Sequence, residues 1–406
     1  MLLIVEVGRR RALLPDYADH GYHISSPSTS GDLRSFGVQV TEVVRAALAR
    51  LDAVADLGAV VCRDDDASLA AVAALDAEVV KRAWAGAIVT VKDWIDVAGM
   101  ACEGASTQRT GRVPERDATA VARLRAAGAI VIAKTQPGAD HPIHGRCHHP
   151  LDDARTPGGS SSGEAALLAV SASVFGLGSD SGGSIRLPAA WCGVAGLKPS
   201  FGLVPNTGHR PRVGGRNDGR TVIGPMARRV ADLSAMLSVI AGPDEIDPDC
   251  APVELTSPVD VHAAGLRVAV VDDEGSWRAA PSTRDAVQRA VDVLAGVGAV
   301  IVDEPLPAHL DESLDITERY WQRTTLTGAE ADRQLRDWDR FAGRLIRAAA
   351  NFDVVIGPVV ADVAPLDRPL TGEDYVFTLP WSLTGWPAVS VPAGSDPRTA
   401  SRSPSR

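Results

Sequence analysis

The stretch DATAVARLRAAGAIVIA, residues 117–133, holds the signals of a helix and of a strand in direct succession. Asp117 can cap a helix through ATAVARLRAA, and Gly128 can end that helix. The run AIVIA then predicts a buried strand, because it is short and apolar. A similar run, AIVTV at 87–91, comes earlier and delivers Lys92 at its carboxyl end. The order strand, helix, strand is typical of α/β proteins.

The same alternation extends along the chain. Apolar residues in VQVTEVVRAALARLDA (38–53) recur at three- and four-residue steps, which predicts an amphipathic helix. LRVAVV (266–271), TRDAVQRAVDVLAG (283–296) and AVIV (299–302) repeat the order strand, helix, strand, and two further strands are predicted within NFDVVIGPVV (351–360) and WPAVSVPAG (386–394). We therefore expect an α/β fold with a mostly parallel sheet covered by helices.

Composition excludes several classes of protein. The 406 residues are 45% hydrophobic, so the chain can bury a large core, and its formal charge of −10 disfavours nucleic acid as a partner. The five scattered cysteines fit a reducing compartment. The amino-terminal MLLIVEV is too short to span a membrane, and its arginines follow the apolar run instead of preceding it. We expect a soluble cytoplasmic protein.

Two glycine- and serine-rich segments carry the chemistry, TPGGSSSGE (156–164) and LGSDSGGSIR (177–186). Glycines around a serine allow backbone N–H groups to converge on one point, which suits a phosphate or the oxyanion of an acyl transfer. A P-loop would require a lysine directly after its last glycine, and neither segment has one. A flexible linker is excluded because an apolar helix follows the first segment.

In these segments the sequence resembles the amidase signature family of serine hydrolases. The resemblance rests on TVKDWIDVAG, ERDATAVARLRAAGAIVIAKT, TPGGSSSGEAA, GLGSDSGGSIRLPAAWCGVAGLKPS and GPMARRVADL, which occur in the family's order. It is close over residues 35–245 and looser over 350–394. It implies an α/β/α sandwich around a large mixed, mostly parallel sheet. It also implies that Ser184 is the nucleophile, that a cis peptide bond precedes Ser160, and that Lys92 is the base.

A serine becomes nucleophilic when a neighbouring base takes its proton, and a neutral lysine can serve. Because free lysine has a pKa of about 10.4, Lys92 must be desolvated or placed near other cationic groups to lose its proton near neutrality. In the implied mechanism Lys92 accepts a proton from Ser160, which accepts one from Ser184. The implied oxyanion donors are the backbone N–H groups of Ser181, Gly182 and Gly183, with Ser184 as a fourth candidate.

Supporting roles follow for the neighbouring residues. Ser161 is expected to hydrogen-bond the site, and Asp180 and Arg186 to pair and brace the nucleophile loop. Asp93 would favour the charged form of Lys92 if it pointed inward, so we expect it to point away. Lys134 also follows a strand, and we interpret it as a structural contact or a pocket wall.

The segment HPIHGRCHHP, residues 141–150, contains four histidines and one cysteine that could ligate zinc. Their spacing is irregular and most of them crowd into one loop, so we predict no metal site. We also predict no cofactor. The loop VPNTGHRPRVGGRNDGR (204–220) is expected to line the pocket, and its arginines could bind a carboxylate or face water.

We divide the chain into an amino-terminal extension (1–34), a single amidase domain (35–394) and a disordered tail (395–406). By comparison with the family, we expect the chain to lack the last strand and helix. Three hypotheses of function remain open. The first is an amidase acting on a small carboxylic amide, for which a homodimer is one option. The second is an inactive truncated remnant or scaffold, and the third is a glutamine-dependent amidotransferase subunit that serves a partner enzyme.

Overall fold

The computed structural model describes residues 2–6, 39–75, 84–211, 218–271 and 273–394. The predicted disordered tail, residues 395–406, lies outside the described residues, as does most of the predicted amino-terminal extension. The helices are α1 (Val40–Ala53), α2 (Asp65–Ala73), α3 (Thr119–Ala126), α4 (Ser162–Ala169), α5 (Arg186–Cys192), α6 (Val230–Ile240), α7 (Pro281–Gly296), α8 (Leu310–Trp321), α9 (Gly328–Ala348) and α10 (Leu379–Leu383).

The strands are β1 (Leu2–Glu6), β2 (Val60–Cys62), β3 (Ile88–Lys92), β4 (Ile130–Thr135), β5 (Asp140–His141), β6 (Gly145–Arg146), β7 (Phe175–Asp180), β8 (Ala195–Lys198), β9 (Val222–Ala227), β10 (Arg267–Val270), β11 (Val300–Ile301), β12 (Val354–Pro358) and β13 (Ala388–Val391). Every strand quoted above from the sequence is present, with ends close to the predicted ones. Within the described segments, every helix is too short or too polar to span a bilayer.

One large mixed sheet forms the centre of the molecule, in the order β11-β10-β12-β1-β13-β8-β9-β7-β3-β4-β2. Pairing is parallel for β3 with β4 and β7, and for β10 with β11 and β12. The strands between these two groups pair antiparallel, as does β2 with β4 at one edge. The α/β class and the large mixed sheet are confirmed.

Helices cover both faces of the sheet, as the side-chain alternation of β3 shows. Val89 and Val91 pack in one cluster with α3 and α6, whereas Ile88 packs in another with α1 and α4. Because successive side chains of a strand point to opposite faces, these two clusters lie on opposite sides of the sheet. This arrangement is the expected α/β/α sandwich.

The predicted start of α3 needs a correction. Ala118, not Asp117, is the residue that precedes the helix, and no side chain caps it. Asp117 instead accepts a hydrogen bond from Ala98 N–H at 2.7 Å and pairs with Arg125 at 3.0 Å. The carboxylate holds the turn at Ala98 instead of capping α3, and local helix-capping preferences do not predict such a tertiary contact.

The sheet places the two serine-rich segments at one edge. β3 and β7 are parallel neighbours, so Lys92 and Asp180, their last residues, come out on the same side. α4 begins directly after the first serine-rich turn, and α5 begins directly after the second. A 3₁₀ helix, Gly372–Thr378, contacts both turns through hydrogen bonds.

Candidate active site

Lys92 is fully buried at the end of β3. Its Nζ donates hydrogen bonds to Ser160 Oγ at 2.8 Å, to Ser161 Oγ at 3.1 Å and to the Ser179 carbonyl at 3.2 Å. These three acceptors fix the amine against the first serine-rich turn. The structure therefore brings the predicted base, the predicted relay serine and the predicted supporting serine into direct contact.

Burial holds the pKa of Lys92 well below its usual value of 10.5, while the carboxylates of Asp180 and Glu164 only partly offset this effect. Among the described residues, no carboxylate forms an ion pair with Lys92. Its Nζ also lies 4.2 Å from the centroid of the Trp94 ring. A desolvated amine without a close counter-ion can exist as the neutral base that a serine nucleophile requires.

The first serine-rich turn has the backbone that the family resemblance implies, because the Gly159–Ser160 peptide bond is cis. Tyr375 OH donates to the Gly159 carbonyl at 3.0 Å and holds this turn from the carboxyl-terminal side. Ser161 N–H donates to the Ser184 carbonyl at 3.0 Å, so the two serine-rich segments are joined through their backbones.

Ser184, the predicted nucleophile, lies half-buried at the end of the loop between β7 and α5. In the part of the chain that the structure describes, no hydrogen bond joins its hydroxyl to that of Ser160. Catalytic hydrogen bonds of this kind are often long in unliganded proteins and shorten when substrate binds. The two segments are adjacent, since Ser161 N–H donates to the Ser184 carbonyl, but in the described structure the hydroxyls of Ser160 and Ser184 are not hydrogen-bonded to each other.

One of the predicted oxyanion donors is engaged elsewhere. Gly183 N–H donates to Asp180 Oδ1 at 2.7 Å, so in this structure it is not free to bind an oxyanion. Among the described residues, the amides of Ser181, Gly182 and Ser184 donate to no protein acceptor. These three amides remain candidates for the oxyanion hole.

Asp180 and Arg186 form a fully buried, two-pronged ion pair, with both nitrogen to oxygen distances at 2.9 Å. Although burial raises the pKa of Asp180, the Arg186 guanidinium outweighs it and holds that pKa below its usual value. Arg186 also donates to the Thr378 carbonyl at 2.8 Å and to Ser382 Oγ at 2.7 Å. The nucleophile loop is thus tied to the carboxyl-terminal segment.

Asp93 points away from Lys92, as expected. It forms a buried ion pair with Lys134 at 2.9 Å, and its other oxygen accepts from the backbone N–H groups of Glu103 and Gly104 at 2.9 and 2.6 Å. Lys134 is therefore a structural contact, and its ion pair neutralises the charge of Asp93 next to Lys92.

The side chains of the histidine-rich segment 141–150 contact different parts of the protein. His144 contacts Glu103 at 2.8 Å, His149 contacts the Trp191 carbonyl at 3.0 Å, and Cys147 is fully buried. Over the described ranges, no three side chains of the types that ligate metals are grouped closely enough to hold an ion.

Glu164 and Arg220, two buried charged residues beside the site, were not singled out from the sequence. Glu164 accepts hydrogen bonds from the hydroxyls of Thr90 and Thr135 at 2.6 and 2.7 Å, and burial raises its pKa to about 7. The sequence signal that could have identified Glu164 is a glutamate at the start of the apolar helix EAALLAV. Arg220 was only one of several arginines in the 204–220 loop.

The chain is similar to known proteins in sequence and in fold. The family model described as Amidase matches residues 42–330. A glutamyl-tRNA(Gln) amidotransferase subunit from Exiguobacterium sp. (strain ATCC BAA-1283 / AT1b) is 30% identical over 434 residues, which cover 89% of each chain. The structure of 6-aminohexanoate cyclic dimer hydrolase has a TM-score of 0.78 at 25% identity and covers 90% of this chain and 89% of that one. A structure described as a vestigial protein complex that reveals the origins of an s-triazine catabolic enzyme has a TM-score of 0.78 at 26% identity, with 88% and 89% covered.

Proposed function

Because the chain belongs to the amidase family, we propose that it cleaves the C–N bond of a carboxylic amide through an acyl-enzyme on Ser184. The observation that carries this proposal is the buried Lys92 amine, which has a lowered pKa and contacts Ser160 Oγ at 2.8 Å beside the nucleophile loop. A lysine in this environment can act as a base near neutral pH.

In the proposed reaction, neutral Lys92 takes the hydroxyl proton of Ser160 while Ser160 takes that of Ser184. Ser184 Oγ attacks the amide carbonyl, and the resulting oxyanion binds the free amides of the loop, those of Ser181, Gly182 and Ser184. The proton held on Lys92 passes back through Ser160 to the leaving nitrogen, and the C–N bond breaks. Water, deprotonated along the same path, then attacks the ester and releases the carboxylate and Ser184.

The ion pair of Asp180 and Arg186 keeps the nucleophile loop in position during these steps. Asp180 binds Gly183 N–H and Ile185 N–H, at 2.7 and 3.1 Å, so it sets the direction of the backbone on both sides of Ser184. A preformed loop of this kind avoids reorganisation when the oxyanion develops.

A second candidate is the glutamine-dependent amidotransferase subunit. The observation that favours it is the curated relative from Exiguobacterium, a glutamyl-tRNA(Gln) amidotransferase subunit, which matches over 89% of both chains. This match supports the second candidate better than hydrolysis of a simple free amide. The side chain of glutamine is itself a carboxylic amide, so the chemistry of Lys92, Ser160 and Ser184 is the same in both candidates. They differ in substrate and in the need for a partner protein.

The first test is intact-mass labelling of folded protein with a fluorophosphonate. We expect one adduct, which disappears in Ser184→Ala and persists in the control Ser238→Ala, whose hydroxyl bonds the Ala235 carbonyl in α6. Folded protein that takes up no adduct would instead support the inactive remnant or scaffold. Labelling that survives in Ser184→Ala would assign the nucleophile elsewhere.

Ammonia release then separates the two active candidates. Turnover of simple amides such as propionamide by the protein alone supports the amidase. Turnover restricted to glutamine or asparagine, and raised by a co-purifying partner protein, supports the amidotransferase subunit. Full activity in Lys92→Ala would refute the lysine mechanism for both.

A further inference from the structure

Arg220 lies just before β9 and is fully buried beside the nucleophile loop. Its Nε donates to the Ser181 carbonyl at 2.5 Å, and its Nη1 donates to Thr317 Oγ1 at 3.2 Å. Its Nη2 has no hydrogen-bond partner among the described residues, although it is buried. Nε and Nη1 therefore hold the guanidinium in place, whereas Nη2 makes no hydrogen bond to the described residues.

The charge of Arg220 is only partly compensated, because the carboxylates of Asp218 and Asp180 act on it from nearby without pairing with it. In the described ranges, no carboxylate forms an ion pair with it, since Asp180 is taken by Arg186 and Asp218 binds the Thr221 hydroxyl and backbone. Its guanidinium carbon lies 4.6 Å from the centroid of the Tyr320 ring. Burial lowers its pKa only to about 10, so it remains a cation at neutral pH. A buried cation without an anion is costly, and proteins retain one where a ligand supplies the missing charge.

The unused donor faces the proposed oxyanion loop. A Cβ added to Gly182 would lie 3.1 Å from Arg220 Nη2, 3.2 Å from Trp321 Cζ2 and 3.3 Å from Leu379 Cδ2. Gly182 is two residues from Ser184, so Arg220 Nη2 lies against the same loop as the proposed nucleophile. Of these three neighbours of Gly182, Trp321 is 41% exposed and lies on the side of the solvent.

We propose that Arg220 binds a carboxylate on the substrate, so that this site prefers amides that carry a negative charge. This inference rests on the proposed amide hydrolysis and specifies its substrate class. Two of the three guanidinium nitrogens, Nε and Nη1, bind Ser181 and Thr317, so Nη2 is the nitrogen left to contact a carboxylate oxygen.

The test compares amides of equal length that differ in charge. Glutaric acid monoamide carries the carboxylate, pentanamide has a methyl group in its place, and glutamine adds an α-amino group to the first. We expect the unmodified protein to have the higher kcat/KM for the charged amides. Similar rates for the monoamide and glutamine would show that the site recognises the carboxylate alone. A strong preference for glutamine would show that the site recognises the carboxylate of an amino acid.

Arg220→Gln should lower kcat/KM for glutaric acid monoamide by about 10- to 100-fold, mainly through KM, because a hydrogen bond to a charged group is lost. The loss for pentanamide should be much smaller, and Arg220→Lys should restore part of the preference. Arg323→Gln is the matched control, because Arg323 also stacks on the Tyr320 ring, at 4.0 Å, but donates to the Tyr320 carbonyl. It should leave the preference for charge unchanged.

Equal losses for charged and neutral amides in Arg220→Gln would overturn the inference, since they would show that Arg220 only positions the Ser181 backbone. Should the protein cleave no amide, the proposed function fails and the carboxylate site is still tested by calorimetric binding of glutarate. Binding that is lost in Arg220→Gln and retained in Arg323→Gln supports the site. Glutarate binding that is absent, or unaffected by Arg220→Gln, overturns it.

Discussion

Glu164 offers the sharpest quantitative test, because its carboxyl group is fully buried in α4 without an ion-pair partner among the described residues. Two hydroxyls donate to it, Thr90 Oγ1 at 2.6 Å and Thr135 Oγ1 at 2.7 Å. These bonds do not compensate for the loss of water, and burial raises the pKa of Glu164 from 4.5 to about 7. The test variant is Glu164→Gln, which keeps the shape of the side chain and removes its titratable carboxyl group.

The sign follows from the direction of the shift. Below the unfolded pKa of 4.5 the group is protonated in both states, and its burial as an acid adds no pH-dependent cost. As the pH rises through the interval up to about 7, the folded state retains a proton that the unfolded state has released, so stability falls. Since one pKa unit corresponds to about 1.4 kcal/mol, the full penalty above pH 7 is about 3 kcal/mol.

The assay is urea denaturation at about pH 5 and about pH 8. The free energy of unfolding of Glu164→Gln, relative to the unmodified protein, should rise by roughly 2.5 kcal/mol between these conditions. Glu330→Gln is the control. Hydrogen bonds from Thr327 hold the pKa of Glu330 below its usual value, so its contribution is complete above the unfolded pKa and does not change over this interval. A difference for Glu164→Gln that is independent of pH would refute the reasoning.

Two further predictions concern the surroundings of the site. Lys134→Met should lower the free energy of unfolding by about 3–5 kcal/mol, because it leaves the Asp93 charge buried without its cation. The double variant with Asp93→Asn should recover part of this loss. An unchanged urea midpoint for Lys134→Met would contradict the structural role. Gly183→Ala should cost about 1–3 kcal/mol and slow fluorophosphonate labelling, because Gly183 has φ +135° and a Cβ there would meet the Thr378 hydroxyl. Gly219→Ala, which adds a Cβ into open space, is its control, and equal labelling rates in the two variants would show that the loop adapts.

The identity of the elements was largely predictable from local sequence. AIVTV and AIVIA form β3 and β4, and ATAVARLRAA forms α3, because hydrophobic periodicity acts over a few neighbouring residues. The position of Lys92 at the end of a buried strand followed from the same signal. The cis bond before Ser160 was expected from the family resemblance rather than from periodicity.

The relative directions of the strands were not predictable in the same way. Strand and helix alternation indicates parallel neighbours, and β3, β4 and β7 follow this rule. Yet antiparallel pairs lie in the middle of the sheet, where β9 pairs with the two strands that precede it in the chain, β7 and β8, and β8 also pairs with the distant β13. No local signal encodes such a meeting.

The sequence by itself therefore determined the α/β class, the serine-rich turns and the lysine that the chemistry needs. Only the tertiary structure decided which charges are compensated. Asp93 pairs with Lys134, Arg186 also binds the Thr378 carbonyl 192 residues later, and Arg220 Nη2 has no hydrogen-bond partner among the described residues. The physical reason is that desolvation and ion pairing depend on every element packed around a group, and these elements come from distant parts of the chain.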